Sequence, residues 1–219
     1  MQEFTYTEVS IDPSCTDNFI YAKFGAFIPP DPKGVIVITP GSNDDGRRWI
    51  NDDAWKAFAL THQFALMGCY FQDRKPSWVE QYIQVSEGSG DAFISALDKL
   101  DLEGLPLYLY GFSAGGEFNY ELACWLAPNN PDLIKAFVVN KGGVYYSMLA
   151  PEETRKIPAL FFTGAHDHEW RRAVVHGIFA LNQVAGASWV EHEEMLGHNI
   201  GQSEDLSREL FEIIITGGK

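Results

Sequence analysis

Short apolar or alternating runs, separated by longer amphipathic stretches, recur along most of this chain. Val35-Ile36-Val37-Ile38-Thr39 is continuously apolar almost to its end, as a strand covered on both faces would be. Phe19 to Ile28 alternates and stops at Pro29-Pro30, the behaviour of an early antiparallel strand. Further strands are predicted at Phe64 to Phe71, Leu105 to Tyr110, Leu133 to Asn140, Ile157 to Thr163 and Ser188 to Glu193. Helical patterns fall at about Asp52 to Thr61, Tyr82 to Leu100, Ala114 to Leu126, Trp170 to Val184 and Ser203 to Ile215. Strands that alternate with helices imply crossover connections and parallel pairing. The expected class is α/β, with a mostly parallel central sheet of about eight strands and helices on both faces.

With 219 residues, 46% of them hydrophobic, the chain is long enough for a full core, and one domain over residues 1–219 is expected. No internal repeat, low-complexity tract or Pro/Gly/Ser linker divides it.

Candidate chemistry sits at the carboxyl ends of the predicted strands. Gly111-Phe112-Ser113-Ala114-Gly115-Gly116 matches G-x-S-x-G and lies between a predicted strand and a predicted helix, the setting in which such a turn lifts a serine hydroxyl above a sheet. Ser113 is the expected nucleophile. The backbone N–H of Ala114, at the helix start, is an expected oxyanion donor. A serine hydroxyl is a weak nucleophile at neutral pH, so it needs a neutral imidazole to take its proton and a carboxylate to orient that imidazole. Asp167 follows the late strand Ile157 to Thr163 within Gly164-Ala165-His166-Asp167, and is the expected acid. His198, in Gly197-His198-Asn199 just before the closing helix, is the expected base; the order Ser, Asp, His is the one this kind of sheet uses.

The second oxyanion donor is expected on the loop Thr39-Pro40-Gly41-Ser42-Asn43-Asp44-Asp45-Gly46-Arg47, at the N–H of Ser42 with Asn43 as the alternative. Asp44 and Asp45 read as caps of the helix that follows. Trp49, Phe112, Tyr145, Tyr146 and Trp170 are candidates to line a substrate pocket, although core packing accounts for most aromatic residues.

Charge and the remaining reactive residues narrow the classes. A formal net charge of −14 without clustered Lys or Arg excludes nucleic acid as the expected partner and opposes attraction to anionic lipid. No apolar run approaches the roughly 20 residues of a membrane-spanning helix. The first residues carry no secretory signal, so a cytoplasmic location is the default expectation, with secretion the alternative if a leader was removed. Cys15, Cys69 and Cys124 lack metal or redox spacing and read as structural thiols. His166 and His168 flank Asp167, yet neighbours on one loop seldom converge on an ion, and no metal site is expected. His62, His176 and His192 read as structural or surface residues.

The segments Gly111 to Gly116, Gly164 to Asp167 and Gly197-His198 make the chain resemble the α/β-hydrolase superfamily along nearly its whole length. Within it, the chain is similar to small lidless esterases of the dienelactone hydrolase, polyhydroxybutyrate depolymerase and feruloyl esterase kind. The stretch from Thr163 through Arg171-Arg172 to Gly186-Ala187-Ser188-Trp189-Val190 and Gly197-His198 is most like the depolymerase branch. The resemblance implies ester hydrolysis through an acyl-enzyme on Ser113, without a cofactor, on a small-molecule or acylated substrate. It also implies an open site, because the position between Asn140 and Ile157 where many such enzymes insert a lid domain has room only for a loop. Two departures stand against it: the oxyanion loop lacks the histidine-glycine pair, and Ser113 stands where dienelactone hydrolases carry cysteine. A peptidase or acyltransferase using the same triad, and a non-catalytic interaction protein on this fold, are the alternatives.

Overall fold

The computed structural model describes residues 4–11, 19–42, 44–73 and 79–218. Its strands are β1 (Thr5–Ile11), β2 (Phe19–Ile28), β3 (Val35–Thr39), β4 (Ala65–Asp73), β5 (Leu107–Phe112), β6 (Ile134–Asn140), β7 (Ala159–Gly164) and β8 (Val190–Glu194). The α-helices are α1 (Gly46–Trp49), α2 (Asp53–His62), α3 (Ser89–Lys99), α4 (Ala114–Leu126), α5 (Glu152–Arg155), α6 (Glu169–Val184) and α7 (Ser203–Thr216). All eight strands form one sheet in the order β1-β2-β4-β3-β5-β6-β7-β8. β2 pairs antiparallel with both β1 and β4, and every pairing from β4 through to β8 is parallel.

Alternation along the strands divides the core in two. Val35, Val37, Leu107, Leu109, Phe137 and Phe161 face α3, α4 and α6, where Phe93, Phe118 and Ile178 meet them. Ile36, Ile38, Tyr108, Tyr110, Val138 and Phe162 face α2 and α7, where Trp55 and Phe211 pack. With helices on both faces, β3 and β5 are buried almost throughout, which is why they read as continuous apolar runs. Parallel register then brings Phe112 opposite Asn140, and Gly164 opposite Glu194, so the loops after β5, β7 and β8 leave the sheet side by side.

Some elements differ from the pattern-based expectation. The strand to which the apolar pattern assigns no range is β1, an edge strand in which only Ile11 is buried. The helix expected over Tyr82 to Leu100 is two single 3₁₀ turns, Gln81–Ile83 and Val85–Glu87, followed by α3. Gly88, at φ 108°, breaks the run in a conformation that glycine adopts without steric cost. Between β6 and β7 the chain carries only the four-residue α5. Cys69 and Cys124 are buried free thiols, and Cys15 lies outside the described residues. No helix among the described residues is long and apolar enough to cross a membrane.

Candidate active site

Ser113 stands between β5 and α4 at φ 53° and ψ −123°. This is a sparsely populated backbone conformation for a residue with a Cβ, and it costs on the order of 1–3 kcal/mol that surrounding contacts must offset. Those contacts are hydrogen bonds. The Ser113 N–H donates to the carbonyl of Asn140 at 2.7 Å, while its own carbonyl accepts from the N–H groups of Gly116 and Glu117 at 2.9 and 3.1 Å. The strain is on the serine, and the neighbouring glycines serve close approach. A Cβ on Gly111 would collide with the Gly115 backbone, and one on Gly115 with the carbonyl oxygens of Thr39 and Pro40.

Asp167 is set by the turn after β7, where its N–H donates to the Gly164 carbonyl at 2.9 Å. Its Oδ1 accepts the N–H of His168 at 2.7 Å, which leaves Oδ2 for the base. The His198 ring spans the remaining gap. Its Nδ1 is 2.8 Å from Asp167 Oδ2 and its Nε2 is 3.0 Å from Ser113 Oγ. The Asp167 side chain is only 2% exposed, whereas that of His198 is 30% exposed, so the carboxylate is shielded and the imidazole reaches solvent.

Burial is the main influence on His198 and holds its pKa below the ordinary value. The Asp167 hydrogen bond opposes that shift, while the positive charges of Arg171 and Lys141 add to it. A lowered pKa keeps the imidazole neutral, and therefore able to accept a proton, further into acid.

Of the expected oxyanion donors, Ala114 opens α4 directly after the serine. Ser42 follows Gly41, where an added Cβ would lie 3.4 Å from Ser113 Cβ, so this loop is against the nucleophile. The Ser42 hydroxyl is tied to the Glu80 carboxylate. Asn43 lies outside the described residues. Asp45 caps α1 through the Arg47 N–H at 3.0 Å, and Asp44 accepts the Trp49 indole N–H at 2.6 Å.

The candidate aromatics divide. Phe112 packs its ring 5.0 Å from that of His198, with Trp49 stacked behind it at 6.2 Å. Tyr146 and Trp170 are exposed, and Tyr145 is partly buried against Tyr120. His62 and His176 pair with Glu212 and Glu191, away from Ser113, and His192 packs edge-on against Phe162. Among the described residues no cluster of His, Cys, Asp or Glu suits a metal ion. A groove of about 550 Å³ beside α6 and β8, lined by Arg172, His176 and Glu193, contains no residue of the Ser113–His198–Asp167 chain.

Several charged neighbours of the site carry no sequence motif. Arg171 stands one turn beyond Asp167, with Nε 3.7 Å from Oδ2 and the guanidinium over the Trp170 ring. Glu117, on the first turn of α4, is buried and accepts the Gly143 N–H. That burial pushes its pKa up to about 7. Lys141 and Glu194 form an ion pair beneath the loops. The one usable signal was position: Lys141 and Glu194 end or follow predicted strands on the side that carries the triad.

No protein-family model matches the sequence, and no curated protein matches it. Solved structures do. A poly(3-hydroxybutyrate) depolymerase from Bordetella parapertussis superposes with a TM-score of 0.69 at 17% identity, over 100% of this chain and 91% of that one. A ferulic acid esterase gives 0.66 at 10% identity, over 99% and 98%. A substrate-bound fluorophosphonate-binding serine hydrolase from Staphylococcus aureus gives 0.66 at 10% identity, over 97% and 99%. At such identities the likeness establishes the fold alone.

Proposed function

The chain has the α/β-hydrolase fold, and from that premise we propose that it is a serine hydrolase that cleaves carboxylic esters through an acyl-enzyme on Ser113. The observation that carries the reading is the continuous hydrogen-bond chain from Ser113 Oγ through His198 to Asp167, at 3.0 and 2.8 Å. Ser113 Oγ attacks the acyl carbon as its proton passes to His198 Nε2. Asp167 holds the Nδ1–H tautomer and stabilises the imidazolium that forms. The N–H of Ala114, with that of Ser42, receives the oxyanion. Collapse of the tetrahedral intermediate breaks the ester C–O bond, and His198 returns the proton to the departing alkoxide. Water then attacks the acyl-enzyme, with His198 again as base, and releases the carboxylic acid and the free serine. None of these steps calls for a cofactor or metal.

The similar structures include enzymes named as esterases and a depolymerase of a polyester, which agrees with an ester as substrate. The exposed His198 ring and the short connection between β6 and β7 favour a small or accessible acylated substrate and a single lidless domain. The test is hydrolysis of p-nitrophenyl esters from acetate to decanoate by the wild type and Ser113→Ala, together with fluorophosphonate labelling. Loss of the nucleophile is expected to lower turnover on the order of 10⁶-fold. A variant that retains its rate, or a wild type inert toward every ester and the probe, overturns the proposal.

A further inference from the structure

We propose that the buried ion pair between Lys141 and Glu194 is a positioning device for the catalytic base, holding the His198 loop against the ends of β6 and β7 at the height where the imidazole reaches both Asp167 and Ser113. The inference rests on the triad reading above and adds two residues to it.

The pair is unusually placed. Lys141 follows the last residue of β6 and has a left-handed backbone, at φ 56°. Its side chain is 0% exposed and that of Glu194, at the end of β8, only 4%. Removing both charges from water costs more than a well-packed apolar pair would, so general stability is a poor reason for an ion pair here. Its contacts supply a better one. Lys141 Nζ donates to the Glu194 carboxylate and, at 3.2 Å, to Asn140 Oδ1. The other carboxylate oxygen, Glu194 Oε1, accepts the Gln202 N–H at 2.7 Å.

One carboxylate therefore closes the loop that carries His198, from its first anchor at Glu194 to the start of α7. Asn140 grips the same loop through Nδ2, which donates to the Ile200 carbonyl at 3.2 Å and to Ser203 Oγ at 2.6 Å. The Asn140 carbonyl also receives the Ser113 N–H. On the side of the acid, the Glu194 carbonyl accepts the Ala165 N–H at 2.7 Å and the Leu196 carbonyl accepts the His166 N–H at 2.9 Å. Nucleophile, acid and base loops thus converge on Asn140, Lys141 and Glu194.

Two glycines leave room for this arrangement. A Cβ on Gly164 would lie 3.0 Å from Lys141 Cε, and one on Gly201, at φ 62°, would collide with the Glu194 carboxylate. The charges that bear on His198 are those of Asp167, Arg171 and Lys141, with Lys141 acting to lower its pKa. A positioning residue that also carries charge should alter both the rate and the titration of the base.

The test compares Lys141→Met, Glu194→Gln and the double variant with the wild type. Lys141→Met is expected to lower kcat on p-nitrophenyl butyrate by about 100-fold, the scale of a displacement near 1 Å, with KM little changed. The His198 imidazole pKa, read by NMR, is expected to rise in the same variant. Glu194→Gln is expected to slow turnover similarly. In the double variant, thermal stability recovers relative to the single variants while the rate does not, which separates positioning from folding. A folded Lys141→Met with wild-type kcat and an unmoved His198 titration overturns the proposal.

Should the variants fail to fold, the wild type decides. Its Lys141 ammonium is expected to give a solvent-protected ¹⁵N signal that shifts when Ser113 is phosphonylated, and a signal lacking either property overturns the proposal. If instead the wild type is inert toward all esters and the fluorophosphonate, the triad reading fails, while the His198 titration in Lys141→Met still tests the link between the pair and the base.

Discussion

The N–H of Ser113 donates to the carbonyl of Asn140 at 2.7 Å, so the candidate nucleophile is tied to β6, the strand beside its own. The tie holds a serine in a conformation that its local sequence would not favour. It also links the elbow to the residue that contacts the His198 loop.

Asp167→Asn is expected to retain the fold and lose activity. An amide keeps the shape of the carboxyl group, but it can favour the tautomer that presents Nε2–H to the serine, and turnover is expected to fall on the order of 10⁴-fold. Steady-state kinetics on a p-nitrophenyl ester, beside circular dichroism, checks this; wild-type turnover in the variant would remove Asp167 from the mechanism.

The pH profile of kcat/KM should show an acid limb below the ordinary imidazole value of about 6.5. The proposed mechanism requires neutral His198, and burial with the nearby Arg171 and Lys141 charges makes protonation harder. Arg171→Gln removes one of those charges, so its acid limb is expected at higher pH than that of the wild type. Rates measured from pH 4 to 8 in both proteins provide the comparison.

Stability should fall as pH rises through neutrality. Burial raises the Glu117 pKa to about 7 from the ordinary value of 4.5, so the folded state holds this proton more tightly than the unfolded one. The resulting stabilisation is complete below the unfolded value and lost as pH climbs through the folded value. Glu80, half-buried beside Asp73 and pushed up to about 8, extends the window in the same direction. Glu117→Gln, which still has a carbonyl to accept the Gly143 N–H, is expected to flatten much of the decline in Tm between pH 5 and 8. A variant with an unchanged slope would show that Glu117 does not carry this linkage.

Gly115→Ala tests the close approach behind the elbow. Its Cβ would meet the Thr39 and Pro40 carbonyls, which are backbone and yield little. Overpacking of this kind costs about 1–3 kcal/mol, and each kcal/mol lowers Tm by roughly 2–4 °C in a chain of this size. Reduced ester hydrolysis should accompany the lower Tm, because the oxyanion loop and the elbow are displaced together. Unchanged Tm and rate in Gly115→Ala would count against the contact.

Much of this was legible in the chain itself. Apolar runs such as Val35–Thr39 mark strands covered on both faces, and the glycines around Ser113, with the order Ser113, Asp167, His198 at successive strand ends, mark a candidate site. These signals are local, so a reading of neighbouring residues recovers them. What local pattern could not supply is what depends on residues distant in sequence. Gly88 divides a stretch that reads as one helix, and β1 becomes a strand by pairing with β2. The same holds around the site, where Asn140 supports Ser113 and Lys141 meets Glu194 across 53 positions of chain. The strand and helix rhythm and the identities of the candidate reacting groups are written locally along the chain, because periodicity and motif act over a few residues. How those groups are held and charged follows from the folded arrangement alone, because burial and pairing arise when distant segments leave water together.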